Sequence, residues 1–206
     1  MLARAVTRGD GAKGDDITVN ARVISSIPQQ LKKKIPGTPD VRTEIYFERA
    51  EFERINEDRA RQDLVLLSNP RNAATGTLKM LDRRVVAERP LTYFAHGIGF
   101  SDAANLPATH GDLLHFYAEL GLRVNPHSKV VHGSDGMLGM VEKWDAKRAE
   151  LGYDTDGLVM SIAATGSAIL ACVQRACGGR LRISSAPSKK KPCSRMSPGR
   201  SVAREP

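Results

Sequence analysis

The chain has 206 residues, 41% hydrophobic and 26% charged, a balance that excludes a wholly disordered or fibrous polymer and leaves enough chain for a sizeable core. No apolar run reaches the roughly 20 residues of a membrane span. The opening MLARAVTRGDG has no apolar signal-peptide core, so a cytoplasmic location is the default expectation. The net charge of +8 is confined to one end: residues 161–206 hold nine Lys/Arg against one acid, while residues 1–160 hold 22 of each sign. All ten aromatics lie in residues 1–160, and the three cysteines, Cys172, Cys177 and Cys193, lie beyond them. The composition divides the chain near residue 160.

In chain order, DDITVNARVISSIP (15–28) alternates enough for a strand or a strand–turn–helix entry. PDVRTEIYF (39–47) is rich in β-branched and aromatic residues and reads as a strand. RAEFERINEDRARQ (49–62) sets Phe52, Ile55 and, weakly, Ala60 on one face among charges, the pattern of an amphipathic helix. LVLLSNPRNAATGTLKMLD (64–82) runs from an apolar stretch through an Asn-Pro turn into a helix of small residues, and LTYFAHGIGF (91–100) reads as an aromatic-rich strand. Helices are expected over 109–122 and 134–151, and YDTDGLVM (153–160) reads as a turn into a buried strand. Strands and helices alternate without a strict βαβ repeat, so the expected class is α+β. No internal repeat is present.

Four segments carry chemistry. TRGDG (7–11) sets Arg8 beside glycines that let a backbone approach a ligand, and a guanidinium there can clamp a phosphate or stack on a base; an ordinary charged turn is the competing reading. Glu44 is an acid inside an otherwise apolar strand, able to accept from a ribose hydroxyl if it faces a pocket and unremarkable if it faces solvent. In NPRNAATGTLKMLD (69–82), Ala73, Ala74 and Gly76 could bring a backbone close to a large partner, with Arg71 and Lys79 flanking them for phosphate. Small residues packing a helix on a sheet explain the same composition. Asp154 and Asp156 could share a Mg²⁺ or simply form an Asp-Gly turn. The five histidines stand in no triad or metal pattern.

The segment 161–206 lacks aromatics and any sustained period, and is expected to be a disordered basic end. Two other readings are a nucleic-acid-binding arm around Lys189, Lys190 and Lys191, and a metal site at the cysteines; the second lacks both a CxxC pair and a tail histidine.

Taken together, in this order and spacing, TRGDGAKGDDIT with the Asn, Arg, Ile and SIP positions that follow, NPRNAATGTLKMLD and DTDGLVM resemble the adenylation domain of bacterial NAD-dependent DNA ligases over residues 5–160. The resemblance implies the nucleotidyltransferase fold shared by DNA ligases and capping enzymes, with NAD and Mg²⁺ as cofactors and nicked duplex DNA as partner. In that family a lysine of a Lys-x-Asp-Gly motif attacks the α-phosphate of NAD⁺ and expels nicotinamide mononucleotide. AMP passes from the lysine to the 5′-phosphate of the nick, and the 3′-hydroxyl then displaces it. By the same resemblance, Arg8 contacts the nucleotide and Glu44 takes the adenosine ribose. Arg71, Lys79 and Arg148 serve DNA and phosphate, and Asp156 is an essential acid.

The departures bear on activity. The 206 residues contain no Lys-x-Asp-Gly, which the family carries upstream of TRGDG. Thr43 stands where the family usually has glycine, and Ser161 where a strand lysine is expected. The family's nicotinamide-binding, oligonucleotide-binding, zinc and helix–hairpin–helix parts have no counterpart in these residues, so the expectation is an inactive, partial adenylation domain over 1–160. A third family lysine lies in a segment similar to Trp-Ala-Ile-Ala-Tyr-Lys-Phe. Codons exist for residues 176–185 that, read one base earlier, give Ser-Leu-Trp-Trp-Ala-Ile-Ala-Tyr-Lys-Phe, which makes 161–206 an expected frameshift product. The reading from a different class is a non-catalytic nucleic-acid-binding protein using the remnant DNA face and the basic tail.

Overall fold

The computed structural model describes residues 1–11, 13–102, 106–162 and 167–174. The chain opens with one antiparallel bridge, Val6 with Asp16, followed by a single helical turn, α1 (Thr18–Ala21). Strand β1 (Pro39–Tyr46) leads to α2 (Arg49–Arg61), α3 (Pro70–Leu78) and α4 (Arg83–Glu88), then to β2 (Thr92–Ser101). Next come α5 (His110–Glu119), β3 (Lys129–His132), α6 (Gly133–Ala149), β4 (Thr155–Ile162) and β5 (Ser167–Gln174). β1 and β2 pair antiparallel, and β3, β5 and β4 form a second antiparallel sheet in that order. The class is α+β, as expected. Among the described residues no helix is long and apolar enough to cross a membrane.

Local chemistry accounts for the elements that the sequence marked. α3 starts where Asn69 accepts from the Asn72 amide at 2.7 Å with Pro70 at the first helical position, so one orphan donor is satisfied and another does not exist. α5 starts on Thr109, whose hydroxyl accepts from the Asp112 amide at 3.1 Å. α2 is laced by Arg54 to Glu51 (2.9 Å) and Asp58 (3.2 Å), and by Arg61 to Asp58 (3.2 Å), exposed pairs that water screens and that add little to stability. Its buried side is Ile55 with half-buried Phe52, and Ala60 points outward, contrary to the sequence reading. At 100° per residue Arg59, not Ala60, follows Ile55, and its guanidinium donates to the Val65 carbonyl at 2.7 Å.

Three apolar clusters hold the body. Ile17, Ile24, Phe47, Ile55, Ala73, Ala74, Leu78, Val86 and Leu91 gather the first four helices behind β1. Tyr93, Ala95, Leu113, Tyr117 and Leu120 seat α5. Tyr46, Phe94, Trp144, Leu151 and Tyr153 join β1 and β2 to α6 and to Leu158 of β4.

Three sequence expectations change. Residues 15–28 form a bridge and one turn, because the Asp16 carboxylate accepts both the hydroxyl (2.6 Å) and the amide (2.9 Å) of Thr18 and stops the strand there. β4, expected as a buried strand, has Thr155 buried, Asp156 exposed and Gly157 to Ser161 half-buried, in a sheet that packs against α6. The division near residue 160 falls inside β4, and backbone pairing continues into β5, where Met160 is opposite Leu170. The nine tail cations all lie at residue 175 or later, so averaging over 161–206 hid an uncharged, strand-favouring SAILACVQ. The lysine run at 189–191, Cys177 and Cys193 lie outside the described residues.

Candidate functional site

Helix α3 has two faces with different duties. Ala73, Ala74, Thr77 and Leu78 are buried, so small residues let this helix sit close against the core, the second of the two sequence readings. The outward side carries Arg71, Asn72, Thr75, Gly76 and Lys79. Positions 71, 75 and 79 repeat every four residues and therefore line one stripe, with the end cations about 12 Å apart along the axis. A Cβ at Gly76 would meet nothing within 4 Å, so the backbone between the cations faces open space.

Both cations meet carboxylates from distant segments. Arg71 Nη1 lies 3.9 Å from Asp156 Oδ2, bringing the first turn of α3 to the start of β4. Lys79 Nζ lies 2.6 Å from Asp15 Oδ2, tying the end of α3 to the glycine loop that bears Arg8. The Lys79 ammonium, by hydrogen bond and charge, holds the Asp15 carboxyl below the usual carboxylate range. The backbone around Lys79 is fixed separately: buried Asn20 donates through Nδ2 to the carbonyls of Leu78 (2.7 Å) and Met80 (2.8 Å).

The glycine loop is a tight excursion. The Thr7 amide donates to the Asp15 carbonyl at 2.9 Å, and the Asp15 amide donates to the Thr7 hydroxyl at 2.9 Å. Gly9 has φ +54, and a Cβ there would fall 1.6 Å from the Lys13 carbonyl oxygen; at Gly14 it would fall 1.8 Å from that of Thr7. Only glycine fits both places. Arg8 is exposed on this loop, between Thr7 and Gly9.

Glu44 is half-buried on β1, directly opposite Phe94 of β2. It shares that side of the sheet with Tyr46, whose ring is 5.2 Å from Phe94 and 5.3 Å from Tyr153. Arg123, which nothing in GLRVN marks, stands over the Phe94 ring at 5.9 Å and donates to Thr92 Oγ1 at 2.5 Å. Arg148 is exposed in the last turn of α6, in no ion pair among the described residues. The structure thus joins Arg71 with Asp156 and Lys79 with the Arg8 loop, and leaves Arg148 apart.

Asp154 and Asp156 do not share a site. Arg49 Nη2 takes Asp154 at 3.1 Å and Arg71 faces Asp156, so the two carboxylates are drawn to different helices. No set of three His, Cys, Asp or Glu side chains that could hold a metal occurs among the described residues. Asp154 and Asp156, each facing a different arginine, are thus not paired around a Mg²⁺.

The sequence matches the family model of the NAD-dependent DNA ligase adenylation domain over residues 1–168. That span includes the glycine loop, Glu44, the whole of α3 and the Arg71–Asp156 contact, and it covers most of the 206 residues. The chain belongs to the NAD-dependent DNA ligase adenylation-domain family.

Proposed function

We propose that this chain presents the nucleotide- and DNA-facing surface of an NAD-dependent DNA ligase, whose family seals nicks through enzyme–AMP and DNA–adenylate intermediates in replication and repair, on a nucleotidyltransferase fold. The observation that carries this reading is the polar stripe of α3, with Arg71 against Asp156 and Lys79 against the Arg8 loop. In the proposed arrangement Arg8 and Glu44 hold the adenosine end of NAD⁺. Arg71, Lys79 and Arg148 meet phosphate, and Asp156 keeps the Arg71 guanidinium aimed at it. A guanidinium so held loses less freedom on binding, and its planar fork matches phosphate oxygens.

The covalent step requires the side-chain amine of Lys-x-Asp-Gly, and these 206 residues contain no such motif. This chain by itself therefore binds without becoming adenylated. Intact mass spectrometry after incubation with NAD⁺ and Mg²⁺ tests this: the mass is expected to stay unchanged, and a gain of one adenylate would overturn it. We place a change of reading frame between about Met160 and Ile169, on the break in charge and aromatic content there; resequencing the locus tests it directly.

A second reading, a non-catalytic nucleic-acid-binding protein, is favoured by the concentration of the whole net charge of +8 in residues 161–206. Nicked-duplex affinity that vanishes when those residues are deleted would select it; affinity that survives the deletion would return the binding to the α3 face.

A further inference from the structure

The stripe on α3 ends at Lys79. Two residues further on, Leu81 is fully exposed and borders a groove of about 480 Å³ with Val23, Asp82, Arg83, Arg84 and Ala87. Asp82 spends its carboxylate on its own backbone, accepting from the Arg84 amide at 2.9 Å. Arg83 and Arg84 are exposed and form no ion pair among the described residues, unlike Arg4, Arg49, Arg54, Arg61, Arg71 and Arg123. Arg22, next to Val23 in the chain, is exposed, and its Nη2 donates to the Leu2 carbonyl at 3.3 Å.

We infer that this groove is a second contact for the DNA sugar–phosphate backbone, continuing the α3 face through Arg83 and Arg84; the inference rests on the DNA-facing reading above. Three features select this occupant. The groove carries adjacent guanidinium groups with their charge uncommitted, which calls for an anion. It is open and shallow, so a single small anion would remain hydrated, whereas a polymer brings successive phosphates to neighbouring cations and releases their counterions. The exposed Leu81 beside the cations offers apolar surface to a deoxyribose, which a phosphate alone would leave wet. The basic residues 175–206 of the same chain are excluded as occupants by like charge.

The experiment is fluorescence anisotropy of the full chain with a nicked duplex across a salt series. The double variant Arg83→Gln/Arg84→Gln is expected to bind roughly tenfold or more weakly, with a log K against log salt slope shallower by about 2, one for each phosphate contact removed. Arg83→Lys/Arg84→Lys, which keeps both charges, is expected to retain the slope, and unchanged thermal melting of both variants shows that the fold is intact. An unchanged slope in the glutamine variant, with wild-type binding present and Arg71→Gln/Lys79→Gln weakening it, overturns the groove alone. Failure of the wild-type chain to bind the duplex overturns the DNA-facing reading and the groove with it. Tighter wild-type binding to a polyglutamate peptide than to the duplex, lost in the glutamine variant, would overturn the DNA assignment in favour of an acidic protein.

Discussion

Asn20→Ala removes the side chain that closes the end of α3. Its amide is the donor to two carbonyls, Leu78 at 2.7 Å and Met80 at 2.8 Å, that lie 58 and 60 residues away in the chain. The last carbonyls of a helix have no partner within it. Here Asn20 is 9% exposed and Leu78 is likewise 9% exposed, so water does not readily replace the donor. Each lost bond costs about 0.5–1.5 kcal/mol net, and more where the orphaned acceptor stays buried; two together give about 2–4 kcal/mol. With a urea m-value of about 2 kcal/mol/M, the unfolding midpoint should fall by about 1–2 M. Asn20→Asp should be at least as damaging, because a carboxylate cannot donate and repels both carbonyls. The assay is equilibrium urea unfolding followed by circular dichroism on all three proteins. A loss below about 0.5 kcal/mol for Asn20→Ala would refute the claim that this amide fixes the backbone on either side of Lys79.

Other consequences follow from the same geometry. Burial, with Asp40 adding a negative charge, pushes the Tyr117 hydroxyl up to about 12; a folded value above the unfolded one stabilises fully below pH about 10 and is lost as pH climbs through the folded value. Stability should therefore drop between pH 10 and 12, and the drop should be smaller in Tyr117→Phe, where buried Tyr93, also raised by burial, still contributes, measured by urea midpoints at each pH. Gly14→Ala places a Cβ 1.8 Å from the Thr7 carbonyl oxygen, so the loop must open at a cost of about 1–3 kcal/mol, detectable as new proteolytic cleavage between residues 7 and 15. For NAD⁺, three family lysines have no counterpart here; at about 1.5–3 kcal/mol for each charge-assisted contact, against about 8 kcal/mol for micromolar binding, affinity should be no better than millimolar. Titration calorimetry with Glu44→Ala as control checks this, and micromolar binding abolished by that substitution would mean an intact pocket.

The sequence by itself determined the elements whose causes are local. α2 is written in its charge-flanked apolar spacing, α3 in Asn69-Pro70, α5 in Thr109, and β1 and β2 in their β-branched and aromatic runs. The family resemblance is equally local: it lies in the residue types and spacing of 7–11, 69–82 and 154–160. Tertiary structure alone decided what each charged side chain meets. Asp154 and Asp156, neighbours in the chain, go to Arg49 and Arg71 on different helices, while Lys79 reaches back to Asp15 and Asn20 spans to Leu78. Periodicity states which side of an element a residue occupies, but not which other segment lies opposite, because that depends on how the apolar faces stack. β5 stayed hidden for a related reason: its eight residues carry no turn or cap signal of their own, and their strand conformation is fixed by backbone pairing with β3 and β4 on either side.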